Sequence, residues 1–479
     1  MQAEEEEEEA MSAGDELAFA GAARLAEMLR RREASSLELT ELYLERIGRA
    51  DPLVNAYRVV WGERALEEAV AADRRIGSGE EAPLLGVPIA LKDNIDVAGE
   101  VTMHGTDGFD RPAESDSILV TRLRDAGAVI LGKTNLPELA IHGYTESKTF
   151  GITRNPWNRE RGVGGSSGGS GVAVAAGLAA LAQASDGAGS IRHPAAQCGV
   201  FGLKPQRDRV PIDGVSWGGL SVHGCNSRFV ADTALFLDAV TAGPSHSPNA
   251  PPPPERPFAE AAASPPPKLR VAVAFKPPRA VAPPLLGDES RRAVTETAEL
   301  LRSLGHEITS REPDWGWVGN QITARYLGGI AADFDTAPHP ERFESITRGY
   351  RRIARLVAPG WAQRRALRLE TADRARINRL FADHDVLLMP IVAGPALEHG
   401  RFSSRGALRC LLGESRFFPY AVAWNHTGQP AASVPAGRSA EDLPLAVQIV
   451  ARPGDEATLL SLAAQLESER PWADRTPEL

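Results

Sequence analysis

Residues 162–205 read GVGGSSGGSGVAVAAGLAALAQASDGAGSIRHPAAQCGVFGLKP, and the fold of the chain turns on how that stretch is read. Two glycine-rich turns, Gly164 to Gly171 and Gly187 to Gly189, carry serines and flank a mainly apolar segment, Val172 to Ala184. Gly177 breaks that segment once. The pattern predicts a short buried helix ending near Gly177, where a positive φ is tolerated, followed by a buried strand. The second turn then falls at a strand end and leads into a helix starting near Ser190. Such a turn lifts a serine hydroxyl clear of the backbone, among N–H groups that suit a developing oxyanion. A Gly/Ser linker has a similar composition. Linkers, however, do not run into a mostly apolar segment and then a second glycine turn of different build.

Strands and helices alternate on both sides of this stretch. Upstream, apolar residues from Leu17 to Ile47 recur at helical spacing, with Ser35 and Ser36 as an N-cap between two amphipathic helices. A third helix over 63–76 is closed by Gly77 and Gly79. The compact apolar run LGVPIAL (85–91) reads as a strand that delivers Lys92 and Asp93 at its end. A helix at 117–126 and a strand at 128–131 follow. Downstream, helices are expected at 232–240, 289–304 and 457–467, and strands at 269–275, 306–309, 386–390 and 445–450. Residues 315–380 read as mostly helical and 419–437 as turn-rich and apolar. The alternation argues an α/β sheet covered by helices on both faces, within one large unit from 16 to 479. Two segments fall outside it. Residues 1–15, with six consecutive glutamates at Glu4 to Glu9, are expected to be a disordered acidic tail. Pro244 to Pro267, rich in proline and alanine, is expected to be a surface insertion with no core of its own.

Composition excludes several functions. The chain has 479 residues, 43% hydrophobic and 24% charged, ordinary values for a soluble globular protein. Removing the glutamate run from the net charge of −10 leaves −4, so no basic face is announced and no nucleic acid is expected. Three cysteines show no CxxC spacing and no metal-ligand pattern with histidine, and the N-terminus is acidic, the opposite of a secretory leader. Reduced thiols in a cytoplasm are the expectation. The longest weakly polar run, 171–184, is too short and too glycine-broken to span a bilayer. One motif misleads: Gly127 to Thr134 (GAVILGKT) matches the phosphate-binding pattern G-x-x-x-x-G-K-[ST] letter for letter. Its four intervening residues form an apolar strand where a phosphate loop should be. A nucleotide site at Lys133 and Thr134 is therefore the disfavoured alternative.

A serine nucleophile needs a base. His193 and His142 are candidates, but His193 lies on the same turn as Ser190, and neither a Ser…Asp…His order nor a G-x-S-x-G elbow is present. Lys92 is the other candidate, because burial at a strand end lowers a lysine pKa from about 10.4 toward neutrality. An ion pair of Lys92 with Asp93 or another carboxylate is the more ordinary reading of the same spacing. Both readings stay open on the residues alone.

The segments LGVPIALKDNIDVAG, GAVILGKTNLPELAIHGYTE, FGITRNPWN, GGSSGGSGVAVAAG, DGAGSIRHPAAQCGVFGLKP and TGQPAASVPAG resemble those of the amidase signature family of Ser–Ser–Lys hydrolases, in the family's order and spacing. The resemblance runs from about Ala23 to Glu467. It implies a single large α/β domain with a mixed β-sheet between helices, and an amidase that cleaves a carboxylic acid amide through a serine acyl-enzyme. Ser190 matches the family's nucleophile. Ser166, 24 residues earlier, matches the bridging serine that the family holds with a cis peptide bond, and Lys92 matches the general base. The N–H groups of Gly187, Ala188, Gly189 and Ser190 would form the oxyanion hole, with Asp186 and Arg192 bracing the turn. Neither cofactor nor metal is implied. The expected partner is a small-molecule amide, with no nucleic acid and no membrane, and a homodimer is a possible assembly. A glutaminase subunit of a tRNA-dependent amidotransferase shares the same triad and is the alternative within the family. The chain departs from the family at Ala188, where glycine is usual and alanine would be strained by a positive φ, and at Gln206 to Asp208 and Cys225–Asn226.

Overall fold

Among the described residues (16–214, 216–243, 247–279 and 282–479), eleven strands of the computed structural model join in one sheet. In chain order the strands are β1 (Tyr57–Val60), β2 (Pro88–Lys92), β3 (Val129–Thr134), β4 (Glu146–Ser147), β5 (Gly151–Ile152), β6 (Leu181–Asp186), β7 (Phe201–Lys204), β8 (Val222–Ser227), β9 (Arg270–Val273), β10 (Glu307–Ser310), β11 (Val386–Pro390), β12 (Ala431–Arg438) and β13 (Pro444–Ala451). β4 and β5 form a separate hairpin, and the large sheet runs β1-β3-β2-β6-β8-β7-β12-β13-β11-β9-β10. Parallel pairs occupy its two wings, β3–β2–β6 and β11–β9–β10, and antiparallel pairs fill the middle. It is a single domain with a mixed sheet between helical layers.

The central strands read as apolar runs because both of their faces are covered. Every residue of β2, β3, β6 and β13 is buried. At the entry to the domain, Ser35 caps the helix Ser36–Val54: its Oγ accepts the Glu38 N–H at 3.1 Å, and the Glu38 carboxylate accepts the Ser35 N–H at 2.8 Å.

The glycine-rich run is a packing device. It opens the helix Gly168–Ala175, all of it buried, which ends before Gly177 at φ 66°. At Gly169 a side chain would meet the Ala56 carbonyl and the Asn135 N–H at 2.5 Å, so only glycine lets this helix approach β1 and β3 so closely.

The acidic tail, 1–15, and residues 244–246 lie outside the described residues. The remainder of the proline-rich segment corrects the expectation of a coreless insertion. It contains the helix Phe258–Ala262, with Phe258 and Ala261 buried against the helices Val230–Thr241 and Glu456–Glu469. The Asp238 carboxylate accepts the N–H groups of Phe258 and Ala259, each at 2.8 Å, and so caps that helix. The GAVILGKT match is likewise structural. Its apolar residues lie in and just before β3, so a buried strand stands where the phosphate loop would be, and Lys133 is buried with its Nζ 3.3 Å from Asp93. No helix among the described residues is long and apolar enough to cross a membrane.

Candidate active site

Lys92 closes β2 with its side chain fully buried. Its backbone N–H is fixed by the Gln183 side chain at 3.0 Å, and its Nζ donates to Ser166 Oγ at 2.7 Å and to Ser185 Oγ at 3.0 Å. Burial pushes the Lys92 ammonium down to about 7, against a smaller upward pull from the Asp186 carboxylate. The ion pair with Asp93 does not form. Asp93 instead faces Lys133 at 3.3 Å and Arg58 at 3.0 Å.

Ser166 follows a cis peptide bond from Gly165 and sits two residues before the helix Gly168–Ala175. It shares a cavity of about 210 Å³ with Ser185, Gly187 and Ser190. Ser190 also borders a second cavity of about 130 Å³, together with Gly165 and Ala188. The two glycine turns touch directly, because the Ser167 N–H donates to the Ser190 carbonyl at 3.3 Å. Lys92, Ser166 and Ser190, which are 98 residues apart from first to last, thus gather at one point.

The turn after β6 is held from below. Asp186 and Arg192 form a fully buried bidentate pair at 2.9 and 3.0 Å. Burial raises the Asp186 carboxyl, but the guanidinium and the Asn425 amide outweigh it and hold the group below the usual carboxylate range. Its two oxygens accept the N–H groups of Gly189 (2.6 Å) and Ile191 (3.2 Å). This corrects the expected donor set, since the Gly189 N–H is committed to Asp186. No partner is found among the described residues for the N–H groups of Gly187, Ala188 and Ser190. The positive φ falls on Gly189 (123°), where a side chain would strike the His193 ring at 2.3 Å. Ala188 is not among the positive-φ residues, so alanine is accommodated there without strain. Another family departure, Asn226, donates to the Ile191 carbonyl at 2.9 Å and steadies the same turn.

Neither histidine stands as a base beside Ser190. Burial pushes His193 down to about 3, and its ring lies under Gly189 and against Phe418. His142 is paired with Glu414 at 3.2 Å. Sequence reasoning did not pick out Ser185, Asn94, Asn425 or Gln448. Ser185 accepts from both Lys92 and Asn94, and Asn425 and Gln448 hold Arg192 at 2.8 and 2.6 Å. Polar residues inside apolar strands, such as Gln183 and Ser185 in β6, were the one available signal.

A family model described as Amidase matches residues 38–460. AmiB2 of Mycobacterium tuberculosis, named as an amidase, is 48% identical over 472 residues, covering 97% of this chain and 99% of that protein. The 6-aminohexanoate-cyclic-dimer hydrolase of Paenarthrobacter ureafaciens is 34% identical over 486 residues, covering 95% of each chain. A solved structure of 6-aminohexanoate cyclic dimer hydrolase complexed with substrate superposes with a TM-score of 0.84 at 31% identity, covering 96% of this chain and 99% of that one.

Proposed function

The chain belongs to the amidase family and hydrolyses carbon–nitrogen bonds of amides, and we propose that its reaction runs through Ser190, Ser166 and Lys92. The observation that carries this reading is the 2.7 Å contact between Ser166 and a buried Lys92 whose ammonium is brought down to about 7. A neutral Lys92 takes the proton of Ser166, and Ser166 takes that of Ser190 as Ser190 Oγ attacks the carbonyl. The N–H groups of Gly187, Ala188 and Ser190 receive the oxyanion. Reversal of the relay protonates the departing ammonia or amine, and the same relay then activates the water that frees the acid. Asp186 and Arg192 keep the turn in shape and exchange no proton. The names of the relatives support a free hydrolase over an amidotransferase subunit. Three buried, unpaired cysteines support a cytoplasmic setting.

Ser190→Ala tests the assignment. The variant should fold normally and lose essentially all amide and ester hydrolysis. A fluorophosphonate should add once to the native protein, on the peptide that contains Ser190. An adduct on Ser167 or on a cysteine would overturn the assignment.

A further inference from the structure

We propose, building on the Ser190–Ser166–Lys92 reading, that Asp333 selects amides whose leaving amine carries a second, cationic amino group. The side of the site follows from the proton. Once Ser190 Oγ is bonded to the carbonyl carbon, the proton for the departing nitrogen comes from Ser166 Oγ, which Lys92 then refills. The carbon–nitrogen bond breaks as that proton arrives, and the carbonyl reforms. The amine therefore leaves into a cavity that Ser166 borders. Ser190 borders two cavities, and Ser166 lines only the one of about 210 Å³.

Asp333, on the helix Val318–Thr336, lines that same cavity, and its Oδ2 accepts the Trp217 indole N–H at 2.6 Å. Trp217 is itself fixed: it is buried, its ring centroid lies 5.4 Å from that of Tyr326, and a Cβ at Gly329 would come within 2.8 Å of it. Asp333 Oδ1 has no partner among the described residues and is not closed off from solvent. No ion pair joins Asp333 to another described residue. The one other titratable side chain on these walls, His104, is pushed below its ordinary value by burial and offers no counter-charge near neutral pH. Burial raises the Asp333 carboxyl to about 6, with the Trp217 hydrogen bond pulling the other way. Above that pH the cavity wall holds one unpaired negative charge. An alkyl amine leaves it unpaired, and a carboxylate repels it. An alkylammonium supplies both the counter-charge and donors for Oδ1. A diamine acylated at one end has that form.

The pentanoyl amides of putrescine, pentylamine and γ-aminobutyrate test this, since their leaving chains match in length and end in an ammonium, a methyl and a carboxylate. At about pH 8 Lys92 is mostly neutral and Asp333 ionised. Wild type should then favour the putrescine amide over the pentylamine amide in kcat/KM by about tenfold and turn over the γ-aminobutyrate amide worst. Asp333→Asn keeps an oxygen for the Trp217 indole and removes the charge. It should cut the preference to about twofold, through KM of the putrescine amide, while fluorophosphonate still titrates Ser190. An unchanged ratio in the folded variant overturns the proposal. If the variant does not fold, wild type decides alone, and any order other than ammonium, methyl, carboxylate overturns the proposal. If wild type labels at Ser190 but leaves all three amides intact, the acyl-enzyme made from p-nitrophenyl pentanoate gives the reading. Putrescine should intercept it about tenfold better than pentylamine, and equal interception overturns the proposal. Failure of the underlying reading looks different, since wild type would then not label at Ser190.

Discussion

Lys92 is where the mechanism meets a single side chain. A lysine that only balanced a carboxylate would tolerate arginine, which keeps the charge. A base would not, because a guanidinium releases no proton in the accessible pH range. Lys92→Arg and Lys92→Ala should both lose about a thousandfold or more in kcat, measured on enzyme with an unchanged circular dichroism spectrum. The pH profile carries the sign. Only the neutral amine accepts a proton, so kcat/KM should be low where Lys92 is protonated, rise with pH through about 7, and level off above it. That limb reports the coupled relay as a whole. An arginine variant with near-normal turnover would sink the Ser–Ser–Lys scheme. The residues alone left Lys92 ambiguous for a physical reason: its neighbour Asp93 is neutralised by Arg58 and Lys133, 35 and 40 positions away in sequence. Local spacing does not reveal who claims a carboxylate first.

At the scale of elements, the legible parts were those with a local cause. The capping box at Ser35, the glycine-ended helix before Gly177 and the apolar runs of β2, β3 and β11 all follow from short-range chemistry. β7 (FGLK) and β8 (VHGCNS) did not declare themselves, since both are short, carry glycine and gain stability only by pairing with distant strands. The proline-rich segment misled in the opposite direction. Its average composition hides one aromatic, Phe258, that is 1% exposed beneath the C-terminal helix. Phe258→Ala should therefore destabilise the protein by about 3 kcal/mol or more in denaturant unfolding, while leaving kcat of the folded enzyme close to wild type. Replacing 247–267 by a short Gly/Ser bridge should cost at least as much. An unfolding curve superimposable on wild type would return that segment to the status of a loop.

Across the whole molecule, the oxyanion turn depends on residues more than two hundred positions away. β12 pairs with β7 and β13 with β12, and the helix Val422–Thr427 just before β12 comes to lie under the turn that follows β6. From there Asn425 donates to the Asp186 carbonyl and carboxylate, both at 2.8 Å, and accepts from Arg192 at 2.8 Å. Arg192 extends the link to Gln448 at 2.6 Å and to the Ala421 carbonyl at 3.0 Å. Asp186 in turn fixes the N–H of Gly189, so the C-terminal half of the chain sets the shape of a turn coded in its first half. Asn425→Ala removes one partner of a buried charged network and should cost about 2–4 kcal/mol in stability. Its effect on catalysis should fall on kcat and on the rate of fluorophosphonate labelling, with KM little changed, because the network shapes the turn and leaves the cavity walls alone. Asn425→Asp is the sharper test. It is nearly isosteric but sets a second carboxylate against Asp186, which is held ionised by Arg192, and buried like charges at that distance repel. At pH 7 the order of stability should be wild type, then Asn425→Ala, then Asn425→Asp. An aspartate variant as stable as wild type, with normal labelling kinetics, would show that Asn425 does not transmit the shape of the turn and that Arg192 alone suffices.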